Sequence, residues 1–208
     1  MEFKEWEPIY SKILEDMGFS REDDEHAAII LSNMLDDSNS IEASVLSEII
    51  DGRDILVCGN APTLRDELDL VELDEYLIIV ADGATSALIE RDIIPDVIVT
   101  DLDGDVDKEV YANSMGSIVV VHAHGDNIDK LEMYVPQMID MIGSTQSVPL
   151  ANVHNFGGFS DGDRCVFIAK EFNAASITLL GFDLADENVT PIKGKKLNWA
   201  RQLIDMII

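Results

Sequence analysis

The chain has 208 residues, enough for one large α/β domain with a helical appendage, and 47% of them are hydrophobic, as a protein with a real core requires. Its 41 Asp and Glu against 14 Lys and Arg give a formal net charge of −27, a surface that repels nucleic acid phosphates and gathers cations. No run of about 18 or more apolar residues occurs and MEFKEWEPIY is not a basic-then-apolar leader, so a soluble, cytoplasmic protein without nucleic acid or membrane partners is expected.

In chain order, residues 1–50 read as an N-terminal helical segment and 51–208 as the α/β domain that carries the chemistry. Phe3, Trp6, Ile9, Ile13 and Met17 recur every three or four residues, an amphipathic stripe stopped by Gly18. Ser20 and Asp23 form a capping-box pattern that opens a second helix containing His26, Ile29, Ile30 and Met34. His26 reads there as a surface or packing residue. Ser40 is positioned to cap a third helix running through Ile50. These helices bear no site residue and are free to cap the sheet or to form a homodimer.

From Asp51 the period changes. The apolar runs DILVCG, YLIIVADG, PDVIVTD, SIVVVHAHG and SITLLGFD alternate with the helical segments LRDELDLVE, TSALIERD, KEVYANSM and IDKLEMYVPQMIDMI, and a further helix over 161–172 precedes the last run. The runs lack period-two alternation, as strands buried on both faces do. A Rossmann-like open, mostly parallel sheet with helices on both faces follows. Cys58 and Cys165 form no CxxC pair and are expected as buried free thiols.

Nearly every run ends in small or acidic residues: CGNAPT, ADGATS, TDLDGD, HAHGDN, GFDLAD. In a parallel sheet those ends share one edge, where ligands bind. Asp101 and Asp103 offer hard oxygen ligands of the kind Mg²⁺ takes alongside phosphate oxygens and water. Gly104 should permit the sharp turn, and Asp105 is a candidate cap for the next helix. Gly59-Asn60-Ala61-Pro62-Thr63 and Asp82-Gly83 each open a helix after a strand, the first offering free N–H groups to phosphate, although an ordinary turn would look the same. His122 and His124 lie on one face by alternation and suit phosphate contacts better than zinc, for which no third ligand is near. Arg164, in the glycine-rich FGGFSDGDR, is a rare cation that either neutralises phosphate or pairs with a neighbouring Asp. Lys193, Lys195 and Lys196 around Gly194 read as a basic loop, closing over phosphates or simply exposed.

Together, VADGATSALIERDIIPDVIVTDLDGD, VVVHAHGDNIDKL, GGFSDGDRCVFIA and LLGFDL resemble the archaeal 6-hydroxymethyl-7,8-dihydropterin pyrophosphokinase family, more distantly similar to thiamine pyrophosphokinases. The resemblance implies Mg²⁺-dependent transfer of the diphosphate of ATP to the hydroxymethyl oxygen of a reduced pterin. It maps metal-binding acids onto Asp82, Asp101 and Asp103, with Arg164 beside them as a catalytic cation. It implies a nucleotide side at Gly59, Asn60, Thr63, Gly83, Lys195 and Lys196. His122, His124, Asn127, Gly158 and Asp161 fall to the substrate side, and Asp82 and His124 both stand as candidate general bases. Two other enzyme readings of DLDGD compete: the DxDGT loop of haloacid-dehalogenase-like phosphatases, which it leaves at Asp105, and a DxD nucleotide-sugar-binding glycosyltransferase-like domain. A non-enzymatic nucleotide-binding module is the fourth.

Overall fold

The computed structural model describes residues 1–36 and 39–208. Seven strands form one sheet: β1 (Asp54–Cys58), β2 (Leu77–Ala81), β3 (Val97–Thr100), β4 (Ile118–Ala123), β5 (Met141–Thr145), β6 (Val153–His154) and β7 (Ser176–Leu180). Their order is β6-β5-β4-β3-β2-β1-β7, and every pairing is parallel. The helices are α1 (Phe3–Met17), α2 (Arg21–Met34), α3 (Ser44–Ile50), α4 (Leu64–Glu67), α5 (Thr85–Ile89), α6 (Val106–Ser114), α7 (Ile128–Tyr134), α8 (Asp161–Glu171) and α9 (Pro191–Ile204). Among the described residues no helix is long and apolar enough to cross a membrane.

Connections α4 to α7 step from strand to strand in one direction and stay on one face. There Leu56, Ile78, Ile98 and Val119 pack with Leu64, Leu88, Ala112, Leu131 and, from α2, Ala27 and Leu31. The return from β6 to β7 runs the other way. Its helix α8 therefore covers the opposite face, with α3 and α9, over Ile55, Ile79, Val99 and Val120, as right-handed crossovers require. Outside that layer α1 sets Trp6, Tyr10 and Ile13 against Phe159, Phe167 and Leu203. Gly18, at φ 73°, ends α1 as expected, and Ser20 caps α2 by accepting the Asp23 N–H. His26 is exposed, and Cys58 and Cys165 are buried free thiols.

The segment IDKLEMYVPQMIDMI is not one helix. Pro136 interrupts α7, and Met141 onward becomes β5, whose MIGST sequence is too polar and glycine-bearing to read as a buried strand. Ser40 does not cap α3. It pairs with Met141 as a short bridge and donates its hydroxyl to the Asp36 carbonyl, while Ala43 holds the cap position. Nor do the lysines occupy a loop: Thr190 and Pro191 start α9 before them, and all three lie in its first two turns.

Candidate active site

The carboxyl ends of β2, β3 and β4 bring Asp82, Asp101 and His122–His124 together. The hairpin after β3 turns at Leu102, whose φ of 65° is left-handed although its side chain is fully buried. Such a backbone costs on the order of 1 kcal/mol or more for a bulky residue, so the surrounding bonds must hold it. Thr100 Oγ1 accepts the Leu102 N–H at 2.8 Å and donates to Asp82 Oδ2 at 3.1 Å. The same Oδ2 accepts the N–H groups of Asp103 and Gly104, both at 3.0 Å. Gly104 is thus needed for space and not for turning: a Cβ there would fall on Asp82 Oδ1. Asp105 stands at the cap position of α6 without capping it and pairs with Lys108 at 3.3 Å.

Asp101 Oδ2 accepts from His124 Nε2 at 3.2 Å, and the Asp126 N–H donates to His124 Nδ1 at 3.3 Å, which places the ring proton on Nε2. Asn127 is wholly engaged in holding this turn. Its Nδ2 donates to the carbonyls of Asp101 and His122 and its Oδ1 accepts the His124 N–H. His122 is buried, and Ser144 donates to the Val121 carbonyl, so His122 Nδ1–H donates to Ser144 Oγ at 3.0 Å and leaves Nε2 as a bare acceptor. Burial, with Arg164 and His124 adding, holds His122 well below the ordinary imidazole range, hence neutral.

Seven buried side-chain polar atoms have no hydrogen-bond partner among the described residues, and they cluster here: Asp82 Oδ1, Thr85 Oγ1, Asp101 Oδ1, both oxygens of Glu109, His122 Nε2 and Arg164 Nε. Unpaired buried acceptors are costly, so such a cluster marks a place for a ligand. Asp82, Asp101 and Asp103 each bring one oxygen within 4.8 Å of the others, a donor set fit for a divalent cation. The electrostatics agree. Burial, helped by Asp101 and Asp103, pushes Asp82 up against the lowering pull of the protonated Glu109 carboxyl beside it and of the Asp103 N–H. Burial would also raise Asp101, but His124, Arg164 and Lys196 outweigh it and hold that carboxyl low. Glu109 on α6, fully buried beside Asp82, is pushed up to about 10 by burial first and by the Asp82 charge second.

The remaining expected residues divide. Arg164 pairs with Asp161 at 2.9 Å and reaches Gln146 Oε1 at 3.5 Å, so it faces the acids with Asp161 as its partner. Burial and the charge of Asp101 push Asp161 up, offset by Arg164. Gly158, at φ 85°, lies against the Arg164 backbone and allows α8 to start where it does. Gly59 sits under Phe182, and the Asn60 amide occupies the space a Cβ on Gly83 would need, so these glycines join the β1, β2 and β7 turns. Thr63 is exposed at the start of α4, a single turn too short for a useful dipole. Lys196 acts on Asp101, whereas Lys195 turns away and binds Asp16 on α1 at 2.8 Å.

Sequence reasoning missed Asp24, Glu109 and Gln146. Asp24 on α2 accepts from the Tyr10 hydroxyl, from Gln146 Nε2 and from the Gly125 N–H at 2.7, 2.8 and 2.9 Å. It ties the N-terminal helices to the turn that carries His124. Its signal was its spacing with Ala27, Ala28 and Leu31 on the buried face of α2.

A family model described as 6-hydroxymethylpterin diphosphokinase MptE-like matches residues 31–189. The whole chain is also similar to curated proteins named 6-hydroxymethyl-7,8-dihydropterin pyrophosphokinase. Identity is 43% to that of Methanocaldococcus jannaschii, with 96% of the relative covered. It is 41% to those of Methanothermobacter thermautotrophicus and Pyrococcus furiosus, with 95% and 94% covered. The match spans the DLDGD hairpin, and no dehalogenase or glycosyltransferase relative is among these proteins. The chain belongs to the MptE-like 6-hydroxymethylpterin diphosphokinase family.

Proposed function

We propose that the chain is a 6-hydroxymethyl-7,8-dihydropterin pyrophosphokinase that moves the diphosphate of ATP to the pterin hydroxymethyl oxygen and releases AMP. The observation that carries this reading is the pair of orphaned carboxylate oxygens on Asp82 and Asp101, with Asp103 beside them, in a chain matched over its full length to enzymes of that name. The alcohol oxygen attacks the β-phosphorus, the bond from that phosphorus to the α,β-bridging oxygen breaks with its electron pair leaving on AMP, and the alcohol proton passes to solvent water.

Asp82, Asp101 and Asp103 would hold Mg²⁺, which supplies positive charge to phosphate oxygens as negative charge moves toward the leaving AMP. The chain's own residues do the positioning that phosphoryl transfer needs. His124 orients Asp101, and the Asp103 and Gly104 N–H groups with Thr100 fix Asp82 by Oδ2 and leave Oδ1 without a donor. Arg164 and Lys196 offset phosphate charge in an otherwise acidic protein. The Gly59–Asn60 turn and Gly83 form the nucleotide side, where backbone can approach closely.

Incubation with ATP, Mg²⁺ and the reduced pterin tests this. AMP is expected only when the pterin is present. Release of phosphate from ATP or a generic ester without the pterin would contradict it.

A further inference from the structure

Beside His124, where the turn from α1 into α2 leans over the end of β4, lies a cavity of 140 Å³. Its lining includes Phe19, Asp23, Asp24, His124, Asp126 and Gln146. Three features of it narrow the occupant.

The first is position. His124 is at once a wall of the cavity and the hydrogen-bond partner of Asp101, so whatever lies there abuts the reacting centre. The second is size. A cavity of about 150 Å³ takes benzene, so this one holds a single six-membered ring and leaves the rest of a larger molecule outside. The third is charge. Three of its lining residues are carboxylates and none is Lys or Arg, whereas the cations that act on Asp101 are Arg164 and Lys196. A triphosphate would be repelled here, and a ring presenting N–H donors would be attracted. The cavity near β7, lined by Leu179, Leu180, Phe182 and Leu184 with Glu67, Asp183 and Arg201, is more apolar and adjoins Gly59 through Phe182.

Within the smaller cavity the two aspartates differ. Asp24 is 3% exposed and already accepts three hydrogen bonds, which makes it a fixed wall. Asp23 is exposed and commits its backbone N–H to the Ser20 cap. Gly125 brings the turn so close that a Cβ there would sit 2.6 Å from Asp23 Cβ, which holds α2 against the His124 turn. Phe19, tilted against Phe159 at 6.3 Å, supplies a flat apolar side.

Resting on the pyrophosphokinase reading, we propose that this cavity seats the 2-amino-4-oxopyrimidine ring of the acceptor and that the Asp23 carboxylate reads its adjacent N3–H and 2-amino donors. The reduced ring then extends past His124 and carries the hydroxymethyl group toward Asp101. The N-terminal helices thereby form part of the acceptor site.

The test is binding of 6-hydroxymethyl-7,8-dihydropterin, followed by its fluorescence, together with KM values for both substrates, in the wild type, Asp23→Asn and Asp23→Ala. Both variants should weaken pterin binding and raise its KM by about tenfold while the KM for ATP stays within about twofold. They should also lose the wild-type preference for the pterin over its 2-oxo analogue, a discrimination that a purely structural role for Asp23 would leave intact. Unchanged pterin affinity in both variants, with the wild type active, would overturn the subsite and leave the activity standing. Absence of pterin binding by the wild type would overturn both.

Discussion

Asp24 and Asp82 are equally hidden, each 3% exposed, yet their surroundings are opposite. Asp24, in the seam between the N-terminal helices and the β4 turn, has donors on both oxygens: Tyr10 and Gln146 on one, Gly125 on the other. Asp82, at the end of β2, receives three donors on Oδ2 and none on Oδ1. A buried carboxylate satisfied on both oxygens is glue. One satisfied on a single oxygen is oriented and incomplete, which is what a metal ligand must be before its ion arrives.

The largest expected effect comes from the incomplete side. Asp101→Asn should cut AMP formation by roughly a thousandfold or more, because a neutral amide neither completes the donor set nor adds its charge. Its thermal midpoint should fall by only a few degrees, since the contacts with His124, Arg164 and Lys196 that favour the Asp101 carboxylate are partly lost; a much larger fall would mean that Asp101 is structural. Gly104→Ala sharpens the point by leaving every acid in place. Its Cβ displaces Asp82 Oδ1, and activity should fall about a hundredfold. Near-normal turnover in that variant would show that the placement of Asp82 does not matter.

On the satisfied side, Asp24→Ala leaves three donors stranded and should lower unfolding free energy by about 2–3 kcal/mol in urea titrations. A neutral result would place Asp24 with the incomplete acids. The smallest effect is at Glu109, whose folded pKa of about 10 lies above its unfolded value, so the folded state holds a proton the unfolded chain releases. The wild type therefore loses stability as pH rises from about 4.5 toward 10. Glu109→Gln keeps the shape and removes that loss, and should be more stable by on the order of 1–2 kcal/mol at pH 8, with the gain vanishing near pH 4.5. A pH-independent difference would remove the buried-proton assignment.

How much of this was legible in the sequence follows the same division. β1 to β4 and β7 announce themselves as apolar runs, and Asp101 and Asp103 stand out because they interrupt one. β5 was hidden by Gly143, Ser144 and Thr145, and β6 by having only two residues. Asp24 and Glu109 were hidden by composition: among 41 acids a buried one looks like any other unless its helical face is examined. Val106, Glu109, Ala112 and Asn113 do share such a face on α6. Lys195 and Lys196 are adjacent in the chain, but the helix turns them about 100° apart, so that Lys195 binds Asp16 while Lys196 does not.

The most direct test of the central claim is titration calorimetry of Mg²⁺ into protein saturated with a non-hydrolysable ATP analogue, wild type against the Asp82→Asn/Asp101→Asn double variant. The wild type should bind a divalent ion, and the folded double variant should show that heat abolished. Equal Mg²⁺ affinity in the two proteins would contradict the account.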